Sequence, residues 1–129
     1  MKTIRLIASL CGVLCSWACS FGQSQFKNVD VAYFETFIKE KDVAVLDVRT
    51  AAEFEEFHIA GAVNIDVLDS DFLVKVQKVL SSDKKIGVYC RSGRRSANAA
   101  KILSAAGFKV VNLEGGIIGW RASGREVVK

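Results

Sequence analysis

Proline is absent from this chain, histidine occurs once, and three of the four cysteines, Cys11, Cys15 and Cys19, crowd into the first twenty residues. Each shortage excludes something. With no proline, no proline-rich spacer is possible, and no internal repeat or low-complexity stretch stands in for one, so the 129 residues read as one domain behind a short leader. With one histidine, His58, no set of His, Cys and carboxylate side chains has metal-ligand spacing, and no metal is expected. Long apolar runs are missing too. The longest, Leu6 to Cys19, covers about 14 residues where roughly 20 are needed to span a bilayer, so no stable membrane span is expected in the mature form. A formal charge of +4 is mild, and no basic run carries interleaved aromatics, which argues against a nucleic-acid partner.

What is present starts with the leader. MKTIRLIASLCGVLCSWACSFG, residues 1–22, has a basic start at Lys2 and Arg5, an apolar core, and small residues Ser20 and Gly22 placed before a cut at Gln23. It reads as a secretory signal peptide, so the expected protein is exported, to the periplasm, with residues 23–129 as its mature domain. The competing reading is a lipoprotein cut before Cys19 and anchored through it, a pattern that Ser16 and Trp17 fit poorly. Removing the leader leaves 16 basic against 14 acidic residues, a charge of +2.

Cys90 is then the only mature thiol, which rules out an internal disulfide and leaves either a buried filler or a reactive group. Its neighbours separate the two. The coarse pattern alternates helices and strands: helices over 31–40, 50–58, 69–80 and 97–107, and strands over 42–49, 62–67, 84–90 and 109–115. Thr50 followed by Glu53 marks a capping box, and Gly107 a helix end. Such alternation implies an α/β fold with a mainly parallel sheet of four to five strands between helical layers, joined by right-handed crossovers.

Ligands of such sheets collect beyond the carboxyl ends of the strands, where Arg49, Asp66, Cys90 and Glu114 fall. After Cys90 the run Arg91-Ser92-Gly93-Arg94-Arg95-Ser96 offers a tight glycine turn, inward-pointing amides and a helix N-terminus, which together form an anion cradle. In that setting the positive field is expected to outweigh desolvation and ionise the thiol.

CRSGRRS after an apolar strand resembles the active-site loop of the rhodanese-like sulfurtransferases. DVRTAAEFEEFHIAGAVNI (47–65) is similar to that family's upstream signature, and LEGGIIGW (113–120) to its closing element, so the likeness extends over residues 27–128. The resemblance implies a single rhodanese-like three-layer α/β/α domain and a thiosulfate sulfurtransferase needing no cofactor. Its cysteine takes sulfane sulfur from a small anionic donor as a persulfide and passes it to cyanide, a thiol or a protein thiol. On this likeness Cys90 is the catalytic residue, and Arg91, Ser92, Gly93, Arg94 and Arg95 form the substrate-binding loop. Arg91 and Arg94 are expected to meet the donor, Arg95 to turn toward the helix, Ser92 to donate to the persulfide, and Ser96 to cap the helix. Asp47 and Arg49 are expected to support the site as a buried charge pair or a link to the loop, with Glu53 in the same network. His58 is read as a structural hydrogen-bonding residue and Trp120 as the packing residue of a terminal helix.

Two other classes share parts of this pattern. A cysteine phosphatase or arsenate reductase also cradles a thiol, but it needs an arginine six positions after the cysteine, where this chain has Ser96. A non-enzymatic binding module on the same fold would have no use for the cysteine and its cradle.

Overall fold

The computed structural model describes residues 25–129; the expected signal peptide, residues 1–22, lies outside the described residues. Five strands form one sheet in the order β1-β5-β4-β2-β3, and every neighbouring pair is parallel. They are β1 (Lys27–Val29), β2 (Val43–Asp47), β3 (Val63–Asn64), β4 (Lys85–Tyr89) and β5 (Lys109–Leu113), with helices α1 (Val31–Phe37), α2 (Ala51–Glu56), α3 (Phe72–Val79), α4 (Arg94–Ala105) and α5 (Gly116–Ala122). Among the described residues no helix is long and apolar enough to cross a membrane.

Strand periodicity sorts the core into two halves. Leu46, Val48, Ile86, Val88, Cys90 and Val110 pack on one face against Phe72 and Val76 of α3 and Ala99, Ala100 and Leu103 of α4. Val45, Tyr89, Val111 and Leu113 pack on the other against Phe34 of α1 and Ile117 and Trp120 of α5. Both faces are covered, which is why these strands read as continuous apolar runs. Gly87 gives Phe34 its seat, since a β-carbon there would lie 3.1 Å from the Phe34 ring.

Three elements depart from the sequence reading. β1 carries no apolar pattern, because two of its three residues are exposed and only Val29 is buried. The strand expected over 62–67 pairs as a ladder only at Val63 and Asn64; beyond them single bonds from the Ile65 and Val67 amides to the Asp47 and Val48 carbonyls continue the contact. The helix expected from residue 97 begins at Arg94, because Gly93, at φ +103°, turns the chain directly from the loop into the helix.

Helix α5 is fastened to the end of β4. Its Ile117 amide donates to the Cys90 carbonyl at 2.9 Å, and its Ile118 amide donates to the Arg91 carbonyl at 3.2 Å. Gly116 makes that approach possible: its φ is +61°, and a β-carbon on it would run into the Arg91 carbonyl. Gly116→Ala is therefore expected to destabilise the domain by about 1–3 kcal/mol in urea unfolding. An unchanged unfolding midpoint would mean that α5 and the loop are not in the contact described.

Candidate active site

Cys90 follows the central strand and sits immediately before the turn into α4, with 1% of its surface exposed. Its Sγ accepts the Gly93 amide at 3.1 Å and the Ser96 hydroxyl at 3.3 Å. Burial pushes this thiol up, but the hydroxyl and amide of Ser96 and the amides of Gly93 and Ser92 outweigh it, and the net shift is down from the ordinary value. Gly93 is required by shape as well as by its amide. Its positive φ suits only glycine, and a β-carbon would come within 3.3 Å of the Gly115 nitrogen at the start of α5.

The arginines around this sulfur divide by what already holds them. Arg95 forms a two-pronged ion pair with Glu53, Nη1 to Oε1 at 2.8 Å and Nη2 to Oε2 at 2.9 Å. That guanidinium, with bonds from the Thr50 amide and hydroxyl, holds the Glu53 carboxyl down at about 2. Arg91 and Arg94 are exposed and make no ion pair among the described residues.

A second ion pair braces the neighbouring strand. Arg49 Nη2 donates to Asp47 Oδ2 at 2.7 Å and to the Phe57 carbonyl at 2.7 Å, and both charged side chains are buried. Burial works against the Arg49 charge, and the hydrogen bonds and charge of Asp47 more than offset it. The Tyr89 hydroxyl beneath accepts the Ile59 amide at 3.0 Å, and burial keeps that phenol protonated well above its usual range. Between these braces and α5 opens a cavity of about 350 Å³, lined by Arg49, Glu53, Phe57, Arg91, Ile118 and Arg121 among others.

A profile of the rhodanese-like domain family matches residues 30–123. The chain belongs to the rhodanese-like domain family. A sulfurtransferase of Allochromatium vinosum is 34% identical over 90 residues, covering 68% of this chain and 80% of its own length. The thiosulfate sulfurtransferase GlpE of Coxiella burnetii is 34% identical over 86 residues, covering 66% and 78%. The crystal structure of a rhodanese-related protein from Thermoplasma volcanium superposes with a TM-score of 0.69 at 38% identity, over 80% of this chain and 98% of that one.

In this rhodanese-like domain the residues singled out from the sequence fall into three groups. Cys90, Gly93, the Ser92 amide and Ser96 surround the sulfur. Arg91 reaches the cavity, while Arg95 is turned to Glu53 on α2. Asp47 and Arg49 pair with each other, and Glu53 belongs to the Arg95 pair rather than to theirs. Ser96 corrects the expectation of a helix cap: Gly93 occupies the N-cap, and Ser96, three residues on and fully buried, turns its hydroxyl to the sulfur. His58 Nδ1–H donates to the Phe54 carbonyl at 2.8 Å, with its ring stacked on Phe54.

The sequence reading missed Asn112. It lies buried in apolar β5, on the face that also carries Val110, and its Nδ2 donates to the Gly93 carbonyl at 3.3 Å and to Asn28 Oδ1 at 2.9 Å. Its own Oδ1 is buried without a hydrogen-bond partner among the described residues. Reversing the amide would set that oxygen against two other oxygens, so the bond to the loop fixes the orientation and leaves Oδ1 unsatisfied. Asn112 thus ties β5 to Gly93, the residue whose amide meets the sulfur. Asn112→Leu, similar in volume, is expected to slow alkylation of Cys90 at neutral pH roughly three- to tenfold, the worth of one neutral hydrogen bond, without a matching loss of stability. Mass spectrometry of the peptide carrying Cys90 gives the rate, and an unchanged rate would remove Asn112 from the site.

Proposed function

We propose that this chain is a rhodanese-type sulfurtransferase, exported to the periplasm by its N-terminal segment, that takes sulfane sulfur from thiosulfate or a similar donor and passes it to cyanide or a thiol. The observation that carries the reading is a buried sulfur accepting the Gly93 amide and the Ser96 hydroxyl at 3.1 and 3.3 Å, inside a turn that closes at Gly93. The curated relatives named sulfurtransferase support the reaction class. The basic, apolar leader of residues 1–22 supports export.

The chemistry follows from the cradle. Cys90 thiolate attacks the outer sulfur of thiosulfate; a sulfur–sulfur bond forms to Cys90, the bond inside the donor breaks, and sulfite leaves with its electron pair. The amides of Ser92 and Gly93 and the Ser96 hydroxyl hold the charge on the sulfur, and the exposed Arg91 and Arg94 meet the donor dianion. Cyanide or a thiolate then attacks the outer sulfur of the persulfide, and Cys90 departs as thiolate. The amides and hydroxyl that met the incoming thiolate receive it again, so the two half-reactions share one set of donors.

A phosphatase reading is opposed by the same geometry. The place of a phosphoryl-gripping arginine is taken by Ser96, which is buried against the sulfur, and Arg95 is engaged with Glu53. The test incubates the chain with thiosulfate and reads the peptide carrying Cys90 for one added sulfur, which cyanide should remove as thiocyanate. Cys90→Ser should lose transfer by roughly three orders of magnitude or more, and neither form should turn over p-nitrophenyl phosphate appreciably. Thiocyanate formation retained by Cys90→Ser, or Cys90-dependent phosphatase turnover with no thiocyanate, would overturn the proposal.

A further inference from the structure

The cavity lined by Arg91, the residue after Cys90, and by Ile117, whose amide is bonded to the Cys90 carbonyl, is larger than the proposed donor requires. At about 350 Å³ it lies within the range, roughly 300–1,000 Å³, that holds a whole small organic molecule, whereas thiosulfate is a single tetrahedron of five heavy atoms. Its charges are unevenly committed. Arg49 is paired with Asp47, and Glu53 with Arg95. Arg91 and Arg121 make no ion pair among the described residues, and Glu56 is the one acid of the lining without a cation of its own. The uncommitted lining is therefore cationic on balance, with Phe57, Ile117 and Ile118 as apolar wall.

Arg121 is held in place although exposed. Its guanidinium lies over the Phe57 ring at 4.3 Å from the centroid, a cation–π contact that fixes the group and leaves its N–H edge available. It stands on α5, the helix whose Ile117 and Ile118 amides are bonded to the Cys90 and Arg91 carbonyls, so its position is registered to the catalytic loop. Phe57 is positioned in turn, because its carbonyl accepts Arg49 Nη2 at 2.7 Å.

We propose that Arg121, stacked on Phe57, is a specificity-determining residue of an acceptor subsite for a small carboxylate-bearing thiol, whose carbon chain lies along Ile117 and Ile118. The inference rests on the sulfurtransferase reading of Cys90 and adds the class of its acceptor. In the step concerned, the acceptor thiolate attacks the outer sulfur of the Cys90 persulfide, a new sulfur–sulfur bond forms, the bond to Cys90 breaks, and Cys90 leaves as thiolate while the acceptor departs as its persulfide. Arg121 takes no part in the bond changes. It forms a forked, charge-assisted contact with the far carboxylate, and so holds the acceptor sulfur against the persulfide.

The experiment separates this from the reading beneath it by using a probe that cannot accept sulfur. The full chain is alkylated with iodoacetamide in the presence of 2-(methylthio)succinate or its neutral diamide, and the rate is read on the peptide carrying Cys90. The diacid is expected to protect Cys90 and the diamide to fail. Arg121→Ala should need roughly tenfold more diacid for equal protection, and Arg121→Lys should recover only part of it. Unprotected alkylation should proceed at the native rate in both variants, since Arg121 does not touch the sulfur. Equal protection of native and Arg121→Ala chains, or equal protection by diacid and diamide, would overturn the inference whether or not Cys90 accepts sulfur. Failure of the sulfurtransferase reading would appear instead as no sulfur added from thiosulfate, with protection by the diacid intact.

Discussion

A sulfur buried at the mouth of a parallel sheet can carry negative charge only if fixed dipoles replace the water it has lost. Here the replacement comes from a few donors on one short stretch of chain: the Ser92 and Gly93 amides, and the amide and hydroxyl of Ser96. Much of the surrounding architecture serves to keep those donors aimed. The central strand delivers Cys90, and Gly93 reverses the chain with a φ open to glycine. Helix α4 then begins at once, so that its third residue faces back to the sulfur and its unpaired N-terminal amides add their dipole.

Three contacts secure the turn from outside. Helix α5 donates two amides to the Cys90 and Arg91 carbonyls, Asn112 donates to the Gly93 carbonyl, and the Arg95–Glu53 pair links α4 to α2. The last of these also changes the role of charge at the site. Arg95 is spent on an ion pair with Glu53, and the largest influences that lower the Cys90 thiol are hydrogen bonds from Ser96, Gly93 and Ser92, to which the charge of Arg95 adds. Hydrogen bonds are therefore the larger influence on the sulfur, while Arg91, Arg94 and Arg121 make no ion pair among the described residues.

Local chemistry made much of this legible in the sequence. The Thr50–Glu53 capping box, the short β-branched runs of β2, β4 and β5, and the cysteine set before a glycine turn all carry their signal within a few residues. What escaped depends on partners far along the chain. β1 is three residues long with one buried side chain, and it is a strand only because β5 lies beside it. Asn112 looks like an interruption of an apolar strand until the pairing of Val88 with Asn112 sets it beside the strand that leads into Cys90. Ser96 read as a cap because three preceding arginines and a glycine resemble a loop, whereas the glycine itself starts the helix. The expectation that inward-pointing amides and a helix N-terminus would favour the thiolate agrees with the direction of the shift and with the Ser92, Gly93 and Ser96 amides behind it; the Ser96 hydroxyl was not part of that expectation.

The central claim is that amides and a hydroxyl, more than the charges of Arg91 and Arg94, lower the Cys90 thiol. The pH dependence of Cys90 alkylation, compared between the native chain and an Arg91→Ala/Arg94→Ala variant, tests it most directly. A group whose pKa is depressed in the folded state becomes reactive at lower pH, so both proteins should show a midpoint below the ordinary thiol value of 9.0, and the two midpoints should agree. A midpoint that returns to the ordinary value once the two arginines are removed would contradict the account.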